Sequence, residues 1–346
     1  MNILLLTGGL SSEREVALSS GRAILKALRE NGHNVKVVDP IYGSENVSEE
    51  NIFKDFIKRD YPSDAQIREL QKTAARKLLE SIQSPLFDNI DLVFLGLHGK
   101  YGEDGKVQTL LEMRGKKYTG SGILASNLAM SKDISKTIFR YNNIRTPDWI
   151  LVTKDDKLNP QDIFFRITNE LGFPCVIKPD DEGSTVGLTI IYKSDEEKTN
   201  KAIELAFNYT NKIIIEKYIK GREITVPVIG ADSFPVIEIK PKEGFYDYEH
   251  KYTKGMTEYV CPAEIQNEVA KDARQIALNA YKSLGCSVYS RVDFILNESN
   301  ELYCLEVNTL PGMTDTSLVP KSALQNGIYF NELVEKIINL SLEKNN

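Results

Sequence analysis

The chain of 346 residues is poor in sulfur and imidazole, with four cysteines, three histidines and one tryptophan. Cys175, Cys261, Cys286 and Cys304 are widely spaced, with neither a CxxC pair nor a histidine at metal-ligand spacing. This spacing excludes a zinc module and a disulfide framework, and predicts reduced, mostly buried thiols in a cytoplasmic protein. Long hydrophobic runs are also missing: no stretch approaches the ~20 apolar residues of a membrane span. The opening Met1-Asn2-Ile3-Leu4-Leu5-Leu6 lacks the basic start and the apolar length of a secretion signal, and reads as a first strand. A long basic run is absent too. With 43 Lys+Arg against 49 Asp+Glu the formal net charge is -6, which excludes general nucleic-acid or anionic-membrane binding, because phosphate affinity needs clustered cations. Small molecules are the expected partners.

What is present is an ordinary globular composition, 41% hydrophobic and 9% aromatic, long enough for two or three domains. An apolar run at Ile3 to Leu6 precedes a Gly8-Gly9 turn and helical spacing over residues 13–30, which ends at Gly32. Val35 to Val38 and Leu92 to Leu97 supply two more strands, so the first unit is a parallel α/β layer. Residues 43–85 read as a charged helical insert, with Ile67, Leu70, Ala74, Leu78 and Ile82 in register, and are expected to decorate the surface. A second unit begins after Pro147, with strands at Cys175 to Lys178, Leu188 to Tyr192 and Ile213 to Glu216 and a helix over 195–209. A third starts near 220, with strands at Glu223 to Ile229, Phe234 to Ile239, Ser290 to Leu296 and Leu302 to Val307 and helices over 264–284 and 330–342. The fold class is α/β (α+β), divided at 1–144, 145–219 and 220–346.

A nucleotide site has to be sought without the usual fingerprints, since GxxxxGK[ST] and a post-strand GxGxxG are both absent. Lys178 ends one strand, and Glu182-Gly183-Ser184-Thr185-Val186-Gly187 follows. Such a loop is either a plain hairpin or a phosphate cover whose amides wrap oxygens. Strand alternation puts Arg291 with Asp293, and Glu306 with Asn308, on one face of each strand. If those strands pair, hard oxygen ligands converge and suit Mg²⁺ shared with phosphates. The His98-Gly99-Lys100-Tyr101-Gly102-Glu103-Asp104-Gly105 segment follows the third strand, where open α/β sheets bind ligands. Glu103 or Asp104 is expected to brace the next helix. Ser12-Glu13-Arg14-Glu15 is a capping-box pattern, and spacing alone assigns Glu15 to the cap.

Taken together, several segments resemble the D-alanine:D-alanine ligases, an ATP-grasp family. They are Gly8-Gly9 with Ser12 to Val16, the His98 to Gly105 loop, Tyr118-Thr119-Gly120-Ser121, Glu182 to Gly187, Phe245-Tyr246-Asp247-Tyr248 with Lys251-Tyr252, and Glu306 to Met313. The match runs in order along nearly the whole chain outside the insert. The resemblance implies an ATP-grasp fold with a central lid domain and a cytoplasmic homodimer. It further implies joining of two D-alanines through a D-alanyl phosphate, for peptidoglycan. Asp293, Glu306 and Asn308 would hold two Mg²⁺ ions, or Mn²⁺ in their place, and Lys132, Lys178 and Lys251 would contact phosphates. Glu216, Lys217, Tyr218 and Ile219 would line the adenine site, and Glu223 would take the ribose hydroxyls.

The same resemblance puts Arg291 and the Gly312 amide at the developing oxyanion. It links Glu15, Ser184 and Tyr252 by hydrogen bonds beside the first D-alanine, overturning the cap reading of Glu15. His98 would lie close to that substrate, and Ser317 and Leu318 would bind the carboxylate of the second. Relatives that make the D-lactate ester have phenylalanine where this chain has Tyr252, so an amine acceptor is expected, with D-lactate or D-serine as the alternatives. Two departures stand out: Met130-Ser131-Lys132 replaces the family's Met-Asp-Lys, and Gly183-Ser184-Thr185 replaces Gly-Ser-Ser.

Overall fold

Ile3, Leu4, Leu5 and Leu6 are all fully buried, as a parallel strand covered on both faces requires. They belong to a computed structural model that describes residues 1–9, 11–54, 64–156, 158–241 and 257–344. Strand β1 (Asn2–Thr7) lies between β2 (Asn34–Val38) and β3 (Leu92–Gly96), all parallel. Helix α1 (Arg14–Glu30) makes the crossover and buries Leu18, Ile24, Leu25 and Leu28. The insert supplies α2 (Glu49–Lys54) and α3 (Asp64–Gln83). Its expected role as decoration is corrected by packing, because Ile52, Phe53, Leu78 and Ile82 enter the same core as β1.

The helix expected after Asp104 follows as α4 (Lys106–Met113), and then come two that the hydrophobic pattern did not announce, α5 (Ile123–Met130) and α6 (Lys132–Tyr141). Ala125, Ala129 and Phe139 pack with Ile224, Val226, Val292 and Phe294, so α5 and α6 cover the third sheet before the chain reaches Pro147. The second unit has β4 (Trp149–Thr153), α7 (Pro160–Arg166), β5 (Cys175–Pro179), β6 (Thr189–Ile191), α8 (Glu196–Phe207) and β7 (Lys212–Lys217). Its sheet is antiparallel in the order β4-β7-β5-β6.

The third unit has β8 (Gly221–Ile229), β9 (Asp232–Ser233), β10 (Ile237–Pro241), β11 (Thr257–Val260), α9 (Asn267–Ser283), β12 (Tyr289–Asn297) and β13 (Leu302–Asn308). The order is β11-β10-β8-β12-β13, with β9 on β8. On β12, Val292, Phe294 and Leu296 are buried beneath α9 and α6, which turns Arg291 and Asp293 to the opposite face. Arg291 pairs with Asn308 and Asp293 with Glu306; the register then shifts, so that Phe294 faces Cys304. Leu305 is the extra residue of this β-bulge.

Helices α10 (Leu318–Gln325) and α11 (Phe330–Glu343) end the chain. Leu333, Val334, Ile337 and Ile338 of α11 join the core of the first sheet, so the C-terminal segment closes back on the N-terminal layer. All four cysteines are free, and Cys175, Cys286 and Cys304 are buried, in keeping with the sequence. Among the described residues, no helix is long and apolar enough to cross a membrane. Ile337 is fully buried in this shared core, so Ile337→Ala should cost ~2–5 kcal/mol. A urea-unfolding midpoint unchanged by that substitution would contradict the closure.

Candidate active site

The bulged β12–β13 pair builds the centre of the site. The Arg291 guanidinium donates to both oxygens of Asp293, at 2.9 and 2.8 Å. Thr225 Oγ1 on β8 donates to Asp293 Oδ1 at 2.6 Å, and Asn308 Nδ2 to Oδ2 at 2.9 Å. Asp293 is thus held by side chains from three adjacent strands. Glu306 lies 3.5 Å from Lys132 Nζ. Asp293, Glu306 and Asn308 meet as the strand alternation requires, two carboxylates and one amide whose oxygens suit Mg²⁺.

Opposite this face, α6 and the second sheet assemble buried cations. Lys178 Nζ and Lys136 Nζ grip the two oxygens of Glu216 at 2.7 and 2.8 Å, and Lys136 also donates to Thr146 Oγ1 at 2.8 Å. Burial alone would raise the Glu216 carboxyl, but the two lysines overcome it and hold it at about 2. Burial pulls Lys136 down to about 8 despite Glu216. Lys136 was missed in the sequence, although it follows Lys132 by one helical turn and so shares its face. Lys132 Nζ donates to the Glu182 carbonyl at 2.7 Å; burial lowers its affinity for protons, and Glu306 and Asp180 more than restore it. Ser131, where the family has aspartate, donates to Asp180 Oδ2 at 2.7 Å. The acidic neighbour of Lys132 therefore comes from the end of β5. At the edge of this slot Lys217 is exposed, while Tyr218, Ile219 and Glu223 are half-buried.

The Glu182 to Gly187 segment connects the antiparallel strands β5 and β6 and is tied to the first unit by Lys100 and Glu13. Lys100 reaches across to Glu182 Oε1 at 2.6 Å and to the Tyr209 carbonyl at 3.1 Å. Ser184 donates a short hydrogen bond to the Glu13 carboxylate. The expected Glu15–Ser184 link is therefore corrected: the carboxylate against Ser184 belongs to Glu13. Two residues along a helix rotate a side chain by roughly 200°, so Glu15, half-buried on α1, departs on another face. Glu13 is the N-cap residue of α1 and makes no side-chain cap bond. A Cβ on Gly183 or Gly99 would lie 2.7 or 2.8 Å from Glu13 Oε2, so these two glycines make room for the carboxylate. Tyr252 and Lys251 lie outside the described residues.

The His98 loop supports the Leu310–Met313 turn. His98 Nδ1 bonds the Leu310 carbonyl at 2.7 Å, and Nε2 faces Ser20 Oγ at 3.1 Å. Burial lowers the imidazole's proton affinity, which suits a neutral ring donating from Nδ1 and accepting at Nε2. Both ring nitrogens therefore have partners within the protein. Asp104 braces the turn as anticipated, accepting from the amides of Tyr101 and Lys106 at 3.0 and 3.2 Å. Glu103 does something else: it accepts from the amides of Gly99 and Leu310 at 2.8 and 2.9 Å. Burial, and next the charge of Glu13, push it up to about 8. Ser317 Oγ accepts from the Thr314 amide at 3.0 Å and sits 3.0 Å from where a Cβ on Gly312 would be. Leu318 buries its side chain against Ile237 and Ile239, leaving only its backbone for a substrate.

Replacing Glu216 would strand two buried ammonium groups, so Glu216→Gln should cost ~3–5 kcal/mol near neutral pH. Because the folded carboxyl sits at about 2, below its unfolded value, its contribution is complete above roughly pH 4.5 and disappears as pH falls through the folded value. Urea titrations of both proteins should therefore show a gap that narrows below about pH 4.5; a gap that widens there would contradict this assignment.

Comparison with known proteins agrees with this arrangement. The family model "D-ala D-ala ligase N-terminus" matches residues 2–121, and "D-ala D-ala ligase C-terminus" matches residues 138–339. The chain is 41% identical over 347 residues to the D-alanine–D-alanine ligase of Carboxydothermus hydrogenoformans, covering 99% of both. It is 42% identical over 334 residues to that of Geobacter sulfurreducens, covering 96% of this chain and 92% of the relative. The Bacillus anthracis D-alanine–D-alanine ligase crystallised with ATP superposes with a TM-score of 0.75 at 34% identity, over 99% of this chain and 98% of that one. The VanG D-Ala:D-Ser ligase of Enterococcus faecalis superposes with a TM-score of 0.77 at 30% identity, over 98% of this chain and 99% of that one. The three sheets form an ATP-grasp fold, and the chain belongs to the D-alanine–D-alanine ligase family.

Proposed function

We propose that this chain joins two D-alanines at the expense of ATP, through a D-alanyl phosphate, to supply a peptidoglycan precursor. The observation that carries this reading is the convergence of Arg291, Asp293, Glu306 and Asn308 on one face, opposite Lys132, Lys136 and Lys178. A triphosphate needs cations on one side and metal-binding oxygens on the other. Lys217, Tyr218 and Ile219 form the edge against which adenine lies, and Glu223 accepts from the ribose hydroxyls. Lys132 and Lys178, with Lys251, hold phosphate oxygens. Asp293, Glu306 and Asn308 would hold two Mg²⁺ ions, or Mn²⁺, which when bound neutralise triphosphate charge. Two carboxylates and an amide leave coordination positions that phosphate oxygens would fill.

Glu13 replaces Glu15 as the group that receives the ammonium of the first D-alanine, with Ser184 beside it, and Tyr252 is assigned to the same network by the family resemblance. The substrate carboxylate attacks the γ-phosphorus, the bond to the β-bridging oxygen breaks, and ADP leaves. The free amine of the second D-alanine, its carboxylate on Ser317 and the Leu318 amide, then attacks the acyl carbon, and the proton it loses on becoming an amide leaves with the phosphate. Arg291 and the Gly312 amide hold the resulting oxyanion until phosphate departs. The Glu182 to Gly187 cover, latched by Lys100, keeps water from the mixed anhydride.

The test is phosphate release from ATP that depends on D-alanine, with D-alanyl-D-alanine as the product; turnover of only other amino acids would overturn the reading. Likeness to a D-Ala:D-Ser ligase makes the acceptor worth resolving. In mixtures of D-alanine, D-serine and D-lactate, mass spectrometry should find the alanine dipeptide in excess, and a dominant serine or ester product would assign the other acceptor. Arg291→Ala should lower kcat by about 10²-fold or more with ATP affinity little changed. Equal losses in both would contradict its oxyanion role.

A further inference from the structure

Gly312 lies in a turn whose backbone is fastened on both sides by side chains from the first unit. Two residues before it, Leu310 is gripped at both polar groups: its amide by Glu103 Oε1 at 2.9 Å and its carbonyl by His98 Nδ1 at 2.7 Å. One residue after it, the Met313 amide donates to Ser20 Oγ at 3.1 Å. That hydroxyl also meets His98 Nε2 at 3.1 Å. Ser20 and Glu103 thus act on opposite sides of one peptide segment, joined through the His98 ring. Ser20 is 1% exposed on α1, where a hydroxyl without partners would be costly. The second oxygen of Glu103 anchors it to the Gly99 amide at 2.8 Å, so one carboxylate ties the loop after β3 to the turn after β13.

We infer that Ser20 and Glu103 are positioning residues for the ligation reaction, aiming the Gly312 amide by fixing the backbone at Met313 and Leu310. The inference rests on the oxyanion role proposed for Gly312. An oxyanion donor is effective only while its N–H points at the place where charge develops, and a misplaced donor costs rate and not nucleotide affinity. Serine supplies an acceptor of the right length from a helix. In its ionised form glutamate supplies two acceptors at once, which neither its acid form nor glutamine of the same shape can do, because an O–H or NH₂ would face an amide N–H.

The experiment measures kcat, the KM for ATP, melting temperature and backbone amide exchange of the 309–314 segment in Ser20→Ala, Glu103→Gln and the double variant. Each single change should lower kcat about 10-fold or more, keep the KM for ATP within about twofold and speed exchange at 310 and 313. The double variant should lose less than the product of the two losses, since both act on one amide. Unchanged kcat, loss of kcat in step with ATP affinity and melting temperature, multiplicative losses, or unaltered exchange would each overturn the assignment. Should Ser20→Ala fail to fold, the isosteric Glu103→Gln carries the same readouts. Absence of dipeptide synthesis by the unmodified protein would instead sink the proposed reaction, while the exchange measurement would still decide whether these two residues hold the turn.

Discussion

The antiparallel register of β12 on β13 is the constraint on which the rest depends. A pair of carboxylates and an arginine are expensive to bring together at a partly buried sheet face unless every charge is matched. The register supplies the match: Arg291 lies beside Asp293, Asn308 lies across from Arg291, and Thr225 approaches from β8. A slip by one residue would turn all of these side chains into the hydrophobic core between the sheet and α9. Burial of Val292, Phe294 and Val307 therefore holds the polar face in place.

The same logic recurs around the site. Lys178 and Lys136 share Glu216, Lys132 approaches Glu306, Lys100 holds Glu182, and Arg291 holds Asp293. In this arrangement the cations and anions that a nucleotide and its metal would engage satisfy one another. Substrate binding on the proposed reading is an exchange of partners: phosphates take over lysines, and Arg291 turns from Asp293 to the reacting carboxyl. Such exchange would keep buried charges compensated before and after binding, and would couple metal binding at Asp293 to the freeing of the arginine.

Much of this was legible in the residues, for identifiable reasons. Continuous apolar runs located β1 and β3 because parallel strands are buried on both faces, and local alternation put Arg291 with Asp293 and Glu306 with Asn308. Farther along β13 the period of two breaks down: Leu302 and Cys304 face the core while Glu306 and Asn308, of the same parity, face the site. The extra residue Leu305 reverses the phase, and nothing in the local pattern announces a bulge. Ser12-Glu13-Arg14-Glu15 offered two carboxylates, and only the approach of Ser184, Gly99 and Gly183 selects Glu13. Helices α5 and α6 were hidden because they are short and pack on a sheet distant in sequence. The part played by Ser20 was equally invisible, since its partner Met313 is separated from it by nearly the whole chain.

The partner exchange at Asp293 is the central claim, and anomalous diffraction from crystals grown with Mn²⁺ and a non-hydrolysable ATP analogue tests it most directly. The account predicts metal density bounded by Asp293, Glu306 and Asn308, with the Arg291 guanidinium withdrawn from Asp293 toward the carboxyl subsite. Metal bound elsewhere, or Arg291 still forked onto Asp293 with nucleotide in place, would contradict it.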